Sequence, residues 1–296
     1  CPSFTYVATA EVVALLGLKP VMADVDENTF NMYVDHIEPL ITSKTKAIVP
    51  VHLFGQSTNM EEILILAQKH DLFVIEDNAQ AIGAKYKFSN GEIKKTGTIG
   101  HIGTTSFFPS KNLGCYGDGG AMFTNDDYLA EKMKMIANHG QNKRYYHKVT
   151  GCNSRLDSIQ AAILNVKLKY LDQYNSNREK MANTYDIGFD DVEHLSIPFR
   201  SPNSTHVFHQ YTLKTTAEYR DKLIKYLTKK EIPAMIYYPV PLYKQEAFSS
   251  YVPKNFSIEN IEKLCNSVFS LPIHSEKENS QQEKIIEAVR SFFNLI

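Results

Sequence analysis

The chain has 296 residues, with 32 Lys and Arg against 33 Asp and Glu, a formal net charge of −1 and a hydrophobic fraction of 43%. This balance excludes a disordered or fibrous chain and leaves no basic surplus for nucleic acid, whose phosphates demand a strongly positive face. No apolar run approaches the roughly 20 residues of a membrane span, and no signal-peptide pattern is present. Cys1, Cys115, Cys152 and Cys265 lack the CxxC or CxxxH spacing of zinc ligands. They read as reduced thiols of a cytoplasmic protein, and no metal site is expected.

In chain order, Thr9–Leu16 reads as a helix stopped by Gly17, followed by an expected strand over Pro20–Asp24. Lys46–Val51 is a short β-branched run. From Asn59 to His70 the apolar residues Met60, Ile63, Leu64 and Ala67 recur at helical spacing. Leu72–Glu76 is a second buried-strand candidate, so the region forms a βαβ unit, which requires a parallel sheet. Further strands are expected at Thr104–Phe108 and Ala121–Thr124, with a helix over Asp126–His139 closed by Gly140. Ser154 to about Asn183 reads as one long helix. Tyr211–Leu213 is strand-like and Glu218–Lys230 an amphipathic helix. The basic stretches Lys85–Lys95 and Lys222–Lys230 are interrupted by other residue types and read as solvated faces. The pattern is that of a doubly wound α/β domain over residues 1–175 and a smaller α+β domain over residues 176–296.

Two positions carry candidate chemistry. Asp77 follows an apolar strand, and in open parallel sheets ligands bind beyond the carboxyl ends of the strands; a capping role is the alternative at such a place. Lys111 lies between Phe107-Phe108 and a glycine-rich turn. Partial desolvation there lowers an amine's pKa and makes it a nucleophile toward carbonyls; a solvated loop lysine is the alternative. A carboxylate at one strand end and a lysine at another suggest, as one hypothesis among several, pyridoxal 5'-phosphate (PLP), which needs an amine for its aldehyde and a carboxylate for its pyridinium nitrogen. His139 reads as a helix-end dipole partner and Asp118 as a turn residue. His206 and His209 lack a third ligand for a metal.

The strings VIEDNAQAIGA, SFFPSKNLGCYGDGGAMFTND, NHGQNKRY, GCNSRLDSIQAAIL, YYPVPLYKQEAF and SLPIHS closely resemble the DegT/StrS family of PLP-dependent nucleotide-sugar aminotransferases, in order from Pro2 to the end. The resemblance is nearest to enzymes that aminate UDP-2-acetamido-2-deoxy-3-oxo-glucuronate, with glutamate as amino donor, for lipopolysaccharide or other cell-surface polysaccharide. It implies fold type I, the aspartate aminotransferase architecture. It also implies Lys111 as the cofactor-binding, proton-shuttling lysine and Asp77 as the pyridinium partner. Gln80 and Tyr6 would lie against the two ring faces and Ser106 would bind the phosphate. Asn153 would reach the phosphate from the neighbouring subunit of a homodimer. Arg155, Tyr237 and Tyr238 are substrate-side candidates, with a dimer anchor as the alternative for Arg155. Tyr237 stands where many relatives carry His, which leaves the sugar open.

The family pattern further implies an N-terminal segment ahead of Pro2 whose helix N-terminus holds the cofactor phosphate. On that expectation the chain is a fragment, or else lacks much of the phosphate cup. Relatives that dehydrate sugars typically replace the lysine with His, so Lys111 speaks for transamination. A truncated, non-catalytic regulator is the alternative of a different class.

Overall fold

A computed structural model of the chain describes residues 1–276 and 279–295. In chain order the helices are α1 (Ala8–Leu15), α2 (Met60–Lys69), α3 (Asp127–Ile136), α4 (Ser158–Leu168), α5 (Leu171–Phe189), α6 (Ala217–Lys229), α7 (Glu259–Ser267) and α8 (Asn279–Phe293). The strands are β1 (Ala47–Ile48), β2 (Phe73–Asp77), β3 (Lys85–Lys87), β4 (Ile93–Lys95), β5 (Ile102–Ser106), β6 (Gly120–Phe123), β7 (Gln141–Lys143), β8 (Tyr146–His147), β9 (Leu195–Ser196), β10 (Tyr211–Thr215) and β11 (Val268–Leu271).

The first sheet has the order β1-β2-β5-β6, parallel across β1-β2-β5 and antiparallel at the β6 edge. The mixed sheet matches the expected fold class. The βαβ unit is β1-α2-β2. Helix α2 turns Met60, Ile63, Leu66 and Ala67 inward against Ile48, Leu72 and Val74, burying one apolar stripe as a helix on a sheet must. Helix α3 starts where the sequence signals it, because the Asp126 carboxylate accepts the Leu129 N–H at 2.9 Å.

The second sheet, β11-β10-β9, is antiparallel. Its core joins Leu213 and Phe269 to Tyr185 and Phe189 of α5, Leu223 of α6 and Val289 of α8. A third cluster ties the chain's beginning to its later part: Phe4, Phe30 and Phe54 pack with Leu242, Tyr243 and Leu264. Residues 175 and 176 both lie inside α5, whose Leu171 packs with Phe107 and Leu113 beside the first sheet while Tyr185 packs in the core of the second.

Two expected elements differ from the structure. Pro20–Asp24 forms no continuous strand. It is held by Ser3 N–H to Ala23 O and Ala23 N–H to Cys1 O, both 2.9 Å, so only one bridge forms, Pro2 to Ala23. The chain then turns back at Asp26, whose carboxylate accepts the N–H groups of Asn28 and Thr29, and a ladder has no room to grow. The long helix expected from Ser154 begins at Ser158 and breaks at Lys169-Tyr170. Leu164 and Leu171, seven residues apart and so on one helical face, both enter the cluster of Phe107, Leu113 and Cys115 on either side of the break.

Candidate active site

Asp77 is the last residue of β2 and pairs with Thr104 of β5, and Ser106 ends that neighbouring parallel strand. Both therefore stand at the carboxyl edge of the sheet, where alternation along the strands decides what faces the crevice. The Asp77 carboxylate is held at both oxygens: Thr9 Oγ1 donates to Oδ2 at 2.7 Å and the Ala79 N–H to Oδ1 at 3.1 Å. The preceding residue, Glu76, is fully buried and secures the strand end. Its carboxylate accepts the N–H groups of Gly97, Ile99 and Gly100 and a hydrogen bond from His52 Nε2 at 2.9 Å. His52 Nδ1 accepts the Thr58 N–H, which places the ring proton on Nε2.

Lys111 sits on the loop between β5 and β6. That loop is closed by Phe107 N–H to Gly119 O, Cys115 N–H to Phe107 O and Lys111 N–H to Phe108 O. Buried Phe107 and Leu113 seat it on α4 and α5, and Asn112 ties it to Val207 O at 2.8 Å and Asn175 Oδ1 at 2.7 Å. At Gly114 a Cβ would lie 2.4 Å from Pro109 O, so the tight turn after the lysine admits no side chain. Burial lowers the Lys111 pKa below the ordinary lysine value, and the negative charge of nearby Asp77 opposes that shift without cancelling it. The geometry thus brings the two sequence candidates together and makes the amine easier to deprotonate.

Gln80 is buried, its Oε1 accepting the Phe54 N–H at 2.8 Å and its Nε2 donating to Tyr238 Oη at 3.0 Å. Tyr238, its hydroxyl pKa pushed up by burial, lies 6.3 Å ring to ring from Tyr6 and 5.9 Å from Tyr237. Tyr6 itself is 58% exposed. Ser106 Oγ accepts the Phe108 N–H at 3.2 Å. Hydrogen bonds thus link Asp77 to Thr9 and Gln80 to Tyr238, and ring contacts add Tyr6 and Tyr237.

Asn153 and Arg155 are not joined to that group. Both are exposed, and Arg155 Nε donates to Asn153 Oδ1 at 3.1 Å, while neither hydrogen-bonds to Lys111, Asp77, Gln80 or Ser106. Thr9 and the His52–Glu76 pair escaped the sequence reading. Thr9 sits in an Ala-rich helix start with no signal of its own, and Glu76 reads there as one more residue of an apolar strand.

The donor set has the kinds of group PLP requires: an oriented carboxylate, a desolvated amine within reach of its charge, an anchored amide and a strand-end hydroxyl. Among the described residues no group of three metal-ligating side chains is present.

Comparison with known proteins gives a consistent set of likenesses. The profile of the DegT/DnrJ/EryC1/StrS aminotransferase family matches residues 1–290. UDP-2-acetamido-2-deoxy-3-oxo-D-glucuronate aminotransferase of Pseudomonas aeruginosa is 44% identical over 92% of this chain and 73% of its own length. The pleiotropic regulatory protein of Geobacillus stearothermophilus is 46% identical over 98% of this chain and 77% of its own. Among solved structures, DesV of S. venezuelae superposes with a TM-score of 0.94 at 36% identity, covering 100% of this chain and 78% of that one. A family aminotransferase from Brucella abortus gives 0.91 at 40% identity, covering 99% and 78%.

Proposed function

The chain belongs to the DegT/DnrJ/EryC1/StrS aminotransferase family and is a PLP-dependent sugar aminotransferase, and from that premise we propose that it aminates a nucleotide-linked ketosugar, a UDP-3-oxo-2-acetamido sugar, with glutamate as donor. The observation that carries the reading is that the largely buried Lys111 amine lies near enough to the strand-end carboxylate of Asp77 to feel its charge. The relative whose name specifies a UDP-linked 3-oxo sugar, at 44% identity, supports the substrate class, and cell-surface polysaccharide is the destination we assign to the product.

Bound PLP supplies an electron sink that acidifies the carbon bearing the nitrogen. The rest falls to the chain's own groups. Asp77, oriented by Thr9 and Ala79, holds a proton donor of the ring at its carboxylate. Lys111, its pKa lowered by burial, would take a proton at Nζ from the glutamate carbon in one half-reaction and give one to the sugar carbon in the other. Gln80, fixed by Phe54 and Tyr238, and Tyr6 would hold the ring between them. Ser106 would hold the phosphate, joined by Asn153 of the partner subunit in a homodimer. Tyr237, Tyr238 and Arg155 meet the sugar nucleotide. Among the described residues no helix is long and apolar enough to cross a membrane, and we place the enzyme in the cytoplasm, where nucleotide sugars are made. The division into domains at 175/176 is likewise our proposal, with α5 as the shared rod.

The test is a PLP titration of the full-length protein followed by amination of a panel of UDP- and dTDP-ketosugars. A visible absorption band should form, borohydride should fix the cofactor on Lys111, and a UDP-3-oxo sugar should be the best acceptor. Turnover retained by Lys111→Ala would refute the assignment. A regulatory role has one observation in its favour, the name of the Geobacillus relative; absence of the absorption band would favour it.

A further inference from the structure

Lys111 has a buried neighbour that the reaction described above leaves unused. His209 is 7% exposed, and its Nδ1 is fully buried with no hydrogen-bond partner among the described residues. A buried polar nitrogen left unpaired costs free energy and calls for an explanation.

Its place is over-determined by the backbone. Val207 O accepts from Asn112, the residue next to Lys111, at 2.8 Å. Phe208 O and His209 O accept from Arg178 Nη1 at 3.1 and 3.4 Å. Val207 N–H donates to Gly55 O at 2.9 Å. Gly55, at φ +109°, permits the approach, since a Cβ there would lie 2.9 Å from Phe208 N and 3.0 Å from His209 N. The three-residue segment is thus clamped between the lysine loop, α5 and the Leu53–Gly55 turn, with the imidazole close enough to Lys111 and Arg178 to feel both charges. Burial first, then those two cations, hold the imidazole well below its ordinary pKa. Among the described residues no carboxylate acts on it to offset them. A neutral imidazole keeps a lone pair on one ring nitrogen, whichever tautomer it adopts, so it can accept from an amine.

We propose that His209 is a positioning residue for Lys111: the two side chains are not hydrogen-bonded here, and a change of Lys111 rotamer brings its free amine to the unpaired imidazole nitrogen, which accepts from it and so holds Nζ in the site between proton transfers. The proposal rests on Lys111 as the reacting amine but not on the identity of the sugar.

The test uses full-length protein stripped of cofactor. Competitive acetylation of Lys111 across pH, read at its peptide by mass spectrometry, gives the midpoint of its titration for the wild type, His209→Leu and His209→Gln. Loss of an acceptor for the ammonium should lower the midpoint in His209→Leu by about one pH unit, a tenfold gain in free amine below it. His209→Gln, which retains an acceptor, should stay within about 0.3 unit of the wild type. A folded His209→Leu with an unmoved midpoint, or equal shifts in both variants, overturns the proposal. A second measurement needs no His209 variant to fold: in ¹⁵N-histidine-labelled protein the His209 ring nitrogens should shift on Lys111→Met, and unchanged signals overturn the proposal equally. Both are read without PLP, so a failure of cofactor binding would sink the functional reading and leave this measurement standing.

Discussion

Glu76→Gln should be among the most damaging single-atom changes available near the site. Glu76 Oε1 accepts the Ile99 and Gly100 N–H groups, both at 2.6 Å. Oε2 accepts the Gly97 N–H at 2.7 Å and His52 Nε2 at 2.9 Å. Both side chains are 0% exposed. Whichever way the amide of Gln turns, its NH2 meets two donors, so two charge-assisted bonds are lost and two buried donors are orphaned. Stranding two donors at about 1–3 kcal/mol each, with their charge-assisted bonds lost, costs about 3–5 kcal/mol, against a total stability of about 5–15 kcal/mol. At about 2–4 °C per kcal/mol for a chain of this class, thermal unfolding should fall by roughly 6–20 °C.

The pH dependence supplies a sign. Burial works to raise the Glu76 pKa, but the hydrogen bonds donated by His52 Nε2 and by the Gly100 and Gly97 N–H groups outweigh it and hold the carboxyl below the usual range. A depressed folded pKa means the stabilisation is complete above the unfolded value, about 4.3, and is lost as pH falls through the lower folded value. The gap between wild type and variant, followed by circular dichroism on heating, should therefore be full at neutral pH and narrow below about pH 4. A difference under about 1 kcal/mol at pH 7 would refute the reasoning.

Thr9→Val removes a hydroxyl donor at 2.7 Å from the Asp77 carboxylate. A hydrogen bond to a charged group is worth about 1.5–3 kcal/mol, so the variant should melt at a lower temperature, and with the carboxylate no longer oriented PLP, titrated by absorbance, should bind more weakly. Gly103→Ala would drive a Cβ to 1.9 Å from Gly97 O, backbone against backbone. It should cost several kcal/mol and lower the yield of soluble protein or the urea midpoint. An unchanged midpoint would mean the Gly97 turn moves freely, contrary to its tether to Glu76.

Lys111 and Asp77 stand out as candidates because each is marked by its immediate surroundings. An apolar strand ending in Asp is a local pattern, and so is a lysine between Phe108 and a glycine-rich turn. The helices α1, α2 and α3 were legible for the same reason, through periodicity, caps and glycine stops. The partners of these groups were not. Thr9 reaches Asp77 across 68 residues, and Gln80 reaches Tyr238 across 158. Nothing in the spacing of His206 and His209 hinted that the second would lie beside Lys111.

The sequence alone therefore determined the local elements, the mixed α/β class and, through its family strings, the reaction class. Tertiary structure alone decided how those elements were cut and what held the site. It broke the expected long helix at Lys169-Tyr170 and denied Pro20–Asp24 a ladder. It also fixed Glu76 beneath the site and clamped His209 against the lysine loop. The division follows from range. Periodicity and capping act within a few residues, whereas hydrogen bonds and packing between distant segments exist only once the chain's path has brought them together.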